Sequence, residues 1–397
     1  MTIHELVAAI EPEINKVREQ IHENPELGMK EYQTSDLIER ELREKTQVDR
    51  IERIGETGLL VEIKGTKPGE KHCIALRGDM DALPVTEALD HELRSKNEGI
   101  MHACGHDVHT SILLGAVRVL EHYRDQIAGS VLFFFQPSEE TLQGGKLFAN
   151  SSKIDFEKID GVAALHVTPD LCAGKIGVRY GAILGSSDEL SITVKGKGGH
   201  GAHPDTVVDP ILLSSQIVQA LQMLVSRELA ADQAGVVSIC AISGGKSFNI
   251  VPDTVEMKGT IRALDPKVRE HLLKRIPEIC KGVAMAGRGD ADVEIKLGPP
   301  PLISDNEWVD RVKRCGSKLL GEKNVVELEY PSMGAEDFAF VMEKSKGVFV
   351  RFGARSENGP YGGLHSPHFY CDRKALTTGI LTLSGIALDF FGVDYEN

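Results

Sequence analysis

The chain has 397 residues, more than one hydrophobic core ordinarily serves, so two domains are expected. Its 45 Lys and Arg against 59 Asp and Glu give a formal charge of −14, which sets the default field against nucleic acid and anionic membranes and excludes both as expected partners. Charges from Glu5 onward break the opening MTIHELVAAIEPEINKVREQ, leaving no apolar run for a secretory leader or a membrane span, and seven cysteines without paired spacing fit a reducing compartment, so the expected location is cytoplasmic.

In chain order, EYQTSDLIERELRE reads as an amphipathic helix, with Leu37, Ile38 and Leu42 at helical spacing behind a Thr/Ser start signal. Two apolar runs follow, LLVEIKG and HCIALRGD, separated by the turn-forming TKPGE. Further continuous runs, SVLFFFQ and GVAALHV, fit central strands covered on both faces, and Ile112, Leu113, Ala116, Val117 and Leu120 mark a helix between. That alternation predicts an α/β domain with a mixed, largely parallel sheet flanked by helices.

From about residue 188 the rhythm changes. DELSITVKGK reads as a strand, ILLSSQIVQALQMLVSRE as a helix opened by Asp209 and Pro210, GVVSICAIS and TVEMKGTIRAL as strands, the next segment as a helix opened by Asp265 and Pro266, and DVEIKLG as a last strand. Asp before Pro is a natural cap and first-turn pair. The order βαββαβ predicts an inserted ferredoxin-like satellite domain. A helix near Trp308 and the strand GVFVRFGA return to the first domain. The expected division is 1–183 and 298–397 for a catalytic domain and 184–297 for a satellite that serves as lid and dimerisation surface.

Sites in open α/β sheets gather at the carboxyl ends of strands. There this sequence places Asp79 and Asp81, Glu139 and Glu140, His166, and, after GVFVRFGA, His365 and His368. MHACGHDVHT adds Cys104, His106 and His109. Each signal alone has a plain structural reading: a hydrogen-bonded strand-end histidine, a solvated acid pair, a Cys-Gly-His too short to be a zinc signature. Together they offer carboxylate, imidazole and thiolate, the ligand types of borderline divalent metals, in a number exceeding one tetrahedral site. Two ions would acidify a water and polarise a carbonyl, and a glutamate left uncoordinated beside a ligating one could carry the proton. A cysteine hydrolase with Cys104 as nucleophile and His106 or His109 as base, and a non-catalytic metal-dependent binding protein, are the competing readings.

HENPELG, LRGDMDALPV, MHACGHDVHT, FQPSEE, LHV, GKGGHGAHP, NIVPD, GTIRAL, MGAEDFA and LHSPHF occur in the order and spacing of a known group. The chain resembles, from about residue 15 to 370, the bacterial and plant amidohydrolases that include hippurate hydrolase, N-acyl-amino-acid deacylases and indole-acetyl-amino-acid hydrolases, relatives of aminoacylase and glutamate carboxypeptidase. The resemblance implies metal ligands at Cys104, His106, Glu140, His166 and His365, a general base at Glu139, and an orienting carboxylate at Asp81. It further implies that His200 steadies the oxyanion, often from a partner subunit, and that Asn249 and Arg262 hold the substrate. Two divalent ions per subunit are implied, zinc or manganese first, with cobalt or nickel as alternatives. The implied reaction is hydrolysis of the amide of a small-molecule N-acyl-L-amino acid by a homodimer or higher homo-oligomer. A dipeptidase or an aminobenzoyl-glutamate-type carboxypeptidase is the alternative on the same scaffold.

Overall fold

Runs of apolar residues too long to alternate must be covered on both faces, and the middle of the main sheet is built from them. The computed structural model describes residues 1–89, 93–357, 359 and 361–395. The chain splits into two compact units, Met1–Gly181 with Ile303–Tyr330 and Asp337–Asn397, and Ala182–Leu302 with Pro331–Glu336.

The first unit carries β1 (Arg50–Ile54), β2 (Gly58–Lys64), β3 (His72–Asp79), β4 (Gly129–Gln136), β5 (Gly161–Cys172) and β6 (Ile176–Val178) in an eight-stranded sheet with the strands Gly347–Arg355 and Val325–Glu327. The order across the sheet is β1, β2, β4, β3, β5, Gly347–Arg355, β6, Val325–Glu327. Its four central strands run parallel, while β2 joins β4, and β6 joins Gly347–Arg355, antiparallel. The mixed, largely parallel sheet expected from the sequence is therefore present.

Helices cover it: α1 (Ile3–Glu23), α2 (Tyr32–Lys45), α3 (His106–His122) and two later ones, Asn306–Leu320 and Lys374–Phe390. Helix α1 opens on a reciprocal cap, Thr2 Oγ1 accepting the Glu5 N–H while the Glu5 carboxylate accepts the Thr2 N–H. It then turns Ile3, Val7, Ile10, Ile14, Val17 and Ile21 into the core. The start of α2 differs from the expected Thr/Ser cap. Thr34 and Ser35 are buried within the first turn, and Glu26, from outside the helix, accepts the N–H groups of Gln33 and Thr34 at 3.1 and 2.8 Å. Among the described residues no helix is long and apolar enough to cross a membrane.

The second unit is a four-stranded antiparallel sheet in the order Gly235–Ser243, Thr254–Ala263, Asp188–Lys195, Asp290–Lys296. With helices Pro210–Met223 and Pro266–Ala286 this is the ferredoxin-like βαββαβ arrangement. Asp209 and Asp265 cap the two helices, Asp209 accepting the N–H groups of Ile211 and Leu212 and Asp265 that of Lys267. The first helix ends earlier than its apolar pattern suggests, at Met223, and passes into a π turn over Leu224–Glu228. The strand Asp188–Lys195 alternates buried and exposed residues, so one face of this sheet packs on the helices and the other does not.

Candidate metal centre

Strand ends and one helix start bring the site together within the first unit. Past β3 the chain delivers Asp79 and Asp81, past β4 it delivers Glu139 and Glu140, and β5 carries His166. Gly105 makes the turn into α3 at φ 81°, where a Cβ would come within 2.5 Å of Val167 Cγ2, so only glycine lets Cys104 and His106 flank the turn here. Two further residues are held at positive φ without being glycine, Ser138 at 57° beside the glutamate pair and His365 at 62°. Strain of this kind persists where the surroundings fix it. At Ser138 the N–H donates to buried Glu31, which also accepts the Thr57 hydroxyl.

Asp81 organises the centre with one carboxylate. Its Oδ1 accepts His106 Nδ1–H and the Glu139 N–H, both at 3.1 Å, and its Oδ2 accepts the Glu140 N–H at 3.0 Å. His106 thus presents Nε2 inward. His166 Nδ1–H donates to Val167 O at 2.6 Å, leaving its Nε2 3.3 Å from Cys104 Sγ. Glu140 Oε1 lies 3.3 Å from His365 Nε2 and 3.9 Å from His106 Nε2. The ligand atoms form overlapping clusters, Cys104 with His106 and His166, Cys104 with Glu140 and His365, and His106 with Glu139 and Glu140.

Two buried atoms in this centre, His106 Nε2 and Glu140 Oε1, make no well-directed hydrogen bond, although Asp79 Oδ2 lies 3.6 Å from the first and His365 Nε2 3.3 Å from the second. Buried polar atoms left without a directed hydrogen bond are costly unless something else satisfies them. The field agrees with a cation. Burial opposes charge on His106, yet Asp79, Asp81 and Cys104 raise its pKa well above the ordinary value. Contacts with Cys104 and Glu140 push His365 up to about 10. Burial holds His166 well below the ordinary histidine range, so its ring stays neutral and able to donate a lone pair. Thiol, imidazole and carboxylate with the imidazole Nδ1 atoms of His106 and His166 already engaged is a donor set that fits borderline divalent ions.

Of the ten residues to which the resemblance assigns roles, seven converge here: Asp81, Cys104, His106, Glu139, Glu140, His166 and His365. His200, Asn249 and Arg262 lie in the second unit. His200 sits in a two-residue strand paired with Ile250–Val251, beside Asn249, whose carbonyl accepts the Gly201 N–H. Because the Ala202 N–H donates to His200 Nδ1, the neutral ring carries its proton on exposed Nε2. Arg262, half-buried on the strand Thr254–Ala263, has a buried Nη1 without a partner. His368 is exposed.

The cysteine-hydrolase reading meets two obstacles in this geometry, although His166 Nε2 stands 3.3 Å from Cys104 Sγ. Burial raises the Cys104 thiol pKa, and the ring nitrogens of His109 are occupied elsewhere.

Sequence reasoning missed a second polar group behind the centre. Asp107, next to His106, accepts Arg18 Nε at 2.8 Å and His22 Nδ1 at 3.0 Å, and His22 Nε2 lies 3.2 Å from Glu87. The HENPELG motif contains His22, but nothing in its spacing reveals the partners. Burial works against charge on His22, but Asp107 and Glu87 outweigh it and raise its pKa to about 9. A raised histidine contributes stability that is fully present below its unfolded value and lost as pH rises through the folded one. Chemical denaturation of wild type against His22→Gln should therefore show a difference that is largest near pH 6 and shrinks as pH passes 9. A pH-independent difference would contradict the charged pairing.

Residues 75–389 match the Peptidase family M20/M25/M40, and the chain belongs to that family. It is 38% identical to thermostable carboxypeptidase 2 of Saccharolobus solfataricus over 97% of each chain. It is 34% identical to the N-acetyl-L-cysteine deacetylase of Bacillus subtilis over 93% of this chain and 86% of that one. The crystal structure of a dinuclear metal-binding peptidase of the M20 family from Bacillus subtilis superposes with a TM-score of 0.84 at 30% identity, covering 98% of this chain and all of that one. The protein is thus a hydrolase of amide bonds in a metal-dependent family.

Proposed function

We propose that the protein hydrolyses the amide of N-acyl-L-amino acids at a centre that would hold two divalent ions, with Cys104 among the ligands. The observation that carries this is the overlapping cluster of thiol, imidazole and carboxylate ligand atoms, in which His106 Nε2 and Glu140 Oε1 are buried without a well-directed hydrogen bond. His106 and His166 would hold one ion and Glu140 and His365 the other. When bound, ions in such a site supply Lewis acidity, polarising the amide carbonyl and making water a better nucleophile near neutral pH.

The chain's own residues do the rest. Glu139 accepts a proton from water as its oxygen adds to the carbonyl carbon, then delivers it to the nitrogen as the C–N bond breaks, leaving a carboxylic acid and a free amino acid. His200 donates Nε2–H to the carbonyl oxygen as negative charge grows there. Arg262 receives the free carboxylate of the amino-acid half, the anion its unpartnered Nη1 lacks, and Asn249 assists.

The deacetylase relative supports an N-acyl amino acid as substrate, and the carboxypeptidase relative makes short peptides the second class. Self-association through the second unit belongs to the same reading. Ile211, Leu212, Ile242, Phe248 and Ile250 are exposed there, and Gly235–Ser243 is an edge strand.

A panel of N-acetyl, N-benzoyl and indole-acetyl amino acids and dipeptides, each with the carboxylate free or amidated, tests the assignment. Wild type should prefer free carboxylates, and Arg262→Ala should lose about 2 kcal/mol of that preference, the scale of a charge-assisted hydrogen bond. Equal turnover of free and amidated substrates by wild type would overturn the role of Arg262.

A further inference from the structure

His109 lies among potential ligands and yet is built so that it cannot be one. It is fully buried, its ring centroid 4.8 Å from that of His166 and 5.3 Å from that of His106. The backbone N–H of Val167 donates to its Nε2 at 2.8 Å. A peptide N–H is always a donor, so Nε2 must accept and the ring proton must sit on Nδ1. That proton goes to Asp79 Oδ1 at 2.6 Å. Asp79 is fixed in turn, because Arg77 Nη1 donates to its Oδ2 at 2.7 Å, and the fully buried Arg77 also donates from Nε to Gln136. The one lone pair of the neutral His109 ring and its one N–H are therefore both spent.

The register explains why the Val167 N–H needs this ring. Strand β3 pairs with β5 only as far as Arg77 opposite Ala164. Three residues further along β5, His109 takes the place of a strand neighbour. Val167 is also the residue to which His166 anchors its ring, through Nδ1–H to Val167 O.

We propose that His109 is a positioning residue for the metal centre: held by Asp79, it fixes Val167 and through it the aim of His166 Nε2 toward Cys104. This rests on the two-ion reading above. Partners behind a ligand are worth about 10–100-fold in metal affinity.

Two amide substitutions separate its two contacts. The shorter amide of His109→Asn keeps a donor near the Nδ1 position for Asp79 but offers Val167 nothing, whereas His109→Gln places an amide oxygen near the Nε2 position. Each protein is loaded with Co(II), and a competing chelator is titrated while the thiolate-to-cobalt absorption is followed. The expected result is a loss of about 10–100-fold in affinity for one of two ions in His109→Asn, with His109→Gln close to wild type. Equal affinities in all three proteins, or equal losses in both variants, would overturn the proposal.

A measurement on the unaltered chain guards against misfolding of the variants. With ¹¹³Cd bound and histidine ¹⁵N-labelled, His166 should couple to cadmium through Nε2, while His109 should show no coupling and keep its proton on Nδ1. Coupling at His109 would make it a ligand and end the positioning role. A wild-type chain that takes up no ion would sink the two-ion reading and this role with it, an outcome distinct from a loss confined to the variants.

Discussion

Replacing Glu139 by Gln should lower kcat for amide hydrolysis by about 10²–10⁴-fold, the range that a positioned general base supplies, while the protein keeps its metal. Glu139 is buried, with Oε2 4.0 Å from His106 Nε2 in the ligand cluster. Its backbone is fixed from both sides, by Asp81 on its own N–H and by Glu31 on that of Ser138. Gln preserves size and hydrogen bonding but cannot take up a proton. Steady-state kinetics with metal analysis of the same samples gives the check. A fall in kcat with full metal content identifies a base, whereas a matching fall in metal content identifies a ligand and would reverse the roles assigned to Glu139 and Glu140.

Asp81→Asn should cost about 10–100-fold in metal affinity, and activity with it, although Asp81 lies behind the ligands. Three donors converge on one carboxylate, His106 Nδ1–H and the N–H groups of Glu139 and Glu140. An amide supplies only one acceptor oxygen, so its NH₂ must face a donor, either the Glu140 N–H or the pair on the other side. At least one buried donor then lies unpaired, a penalty of about 1–3 kcal/mol for each, and the ring of His106 or the glutamate turn must shift. Competition with a chelator measures the effect. Unchanged affinity would mean that the ligands are held by their own packing and that Asp81 is incidental.

Much of this centre is legible in the sequence because it obeys local rules. Strand-end carboxylates, a glutamate pair after four bulky apolar residues and histidines clustered around a glycine can each be seen in one line of sequence. The satellite is legible too, since Asp-Pro pairs announce both of its helices. Besides the Asp107 group, three features escape for physical reasons. The helix Lys374–Phe390 carries Thr and Gly and is apolar nearly all round, so it shows little periodicity. Its glycines serve packing: a Cβ on Gly379 would come within 2.2 Å of Ile112 Cδ1, and one on Gly115 within 2.6 Å of Ile380 Cδ1, so α3 and this helix approach closely only because both positions are glycine. Arg77 reads as part of an apolar strand, and its burial makes sense only with Asp79 and Gln136 in place, partners that the fold supplies. His109 reads only as a possible base, because the Val167 N–H that occupies it comes from a strand 58 residues away.

The most direct test of the central claim is the count of ions per chain alongside turnover of one N-acyl amino acid, followed as metal is removed with a chelator and restored as Zn, Mn, Co or Ni. Two ions per chain are expected at full activity, with loss of turnover on chelation, recovery with added metal, and no recovery in Cys104→Ala. Turnover that survives complete removal of metal would contradict a metal-dependent hydrolysis at this centre.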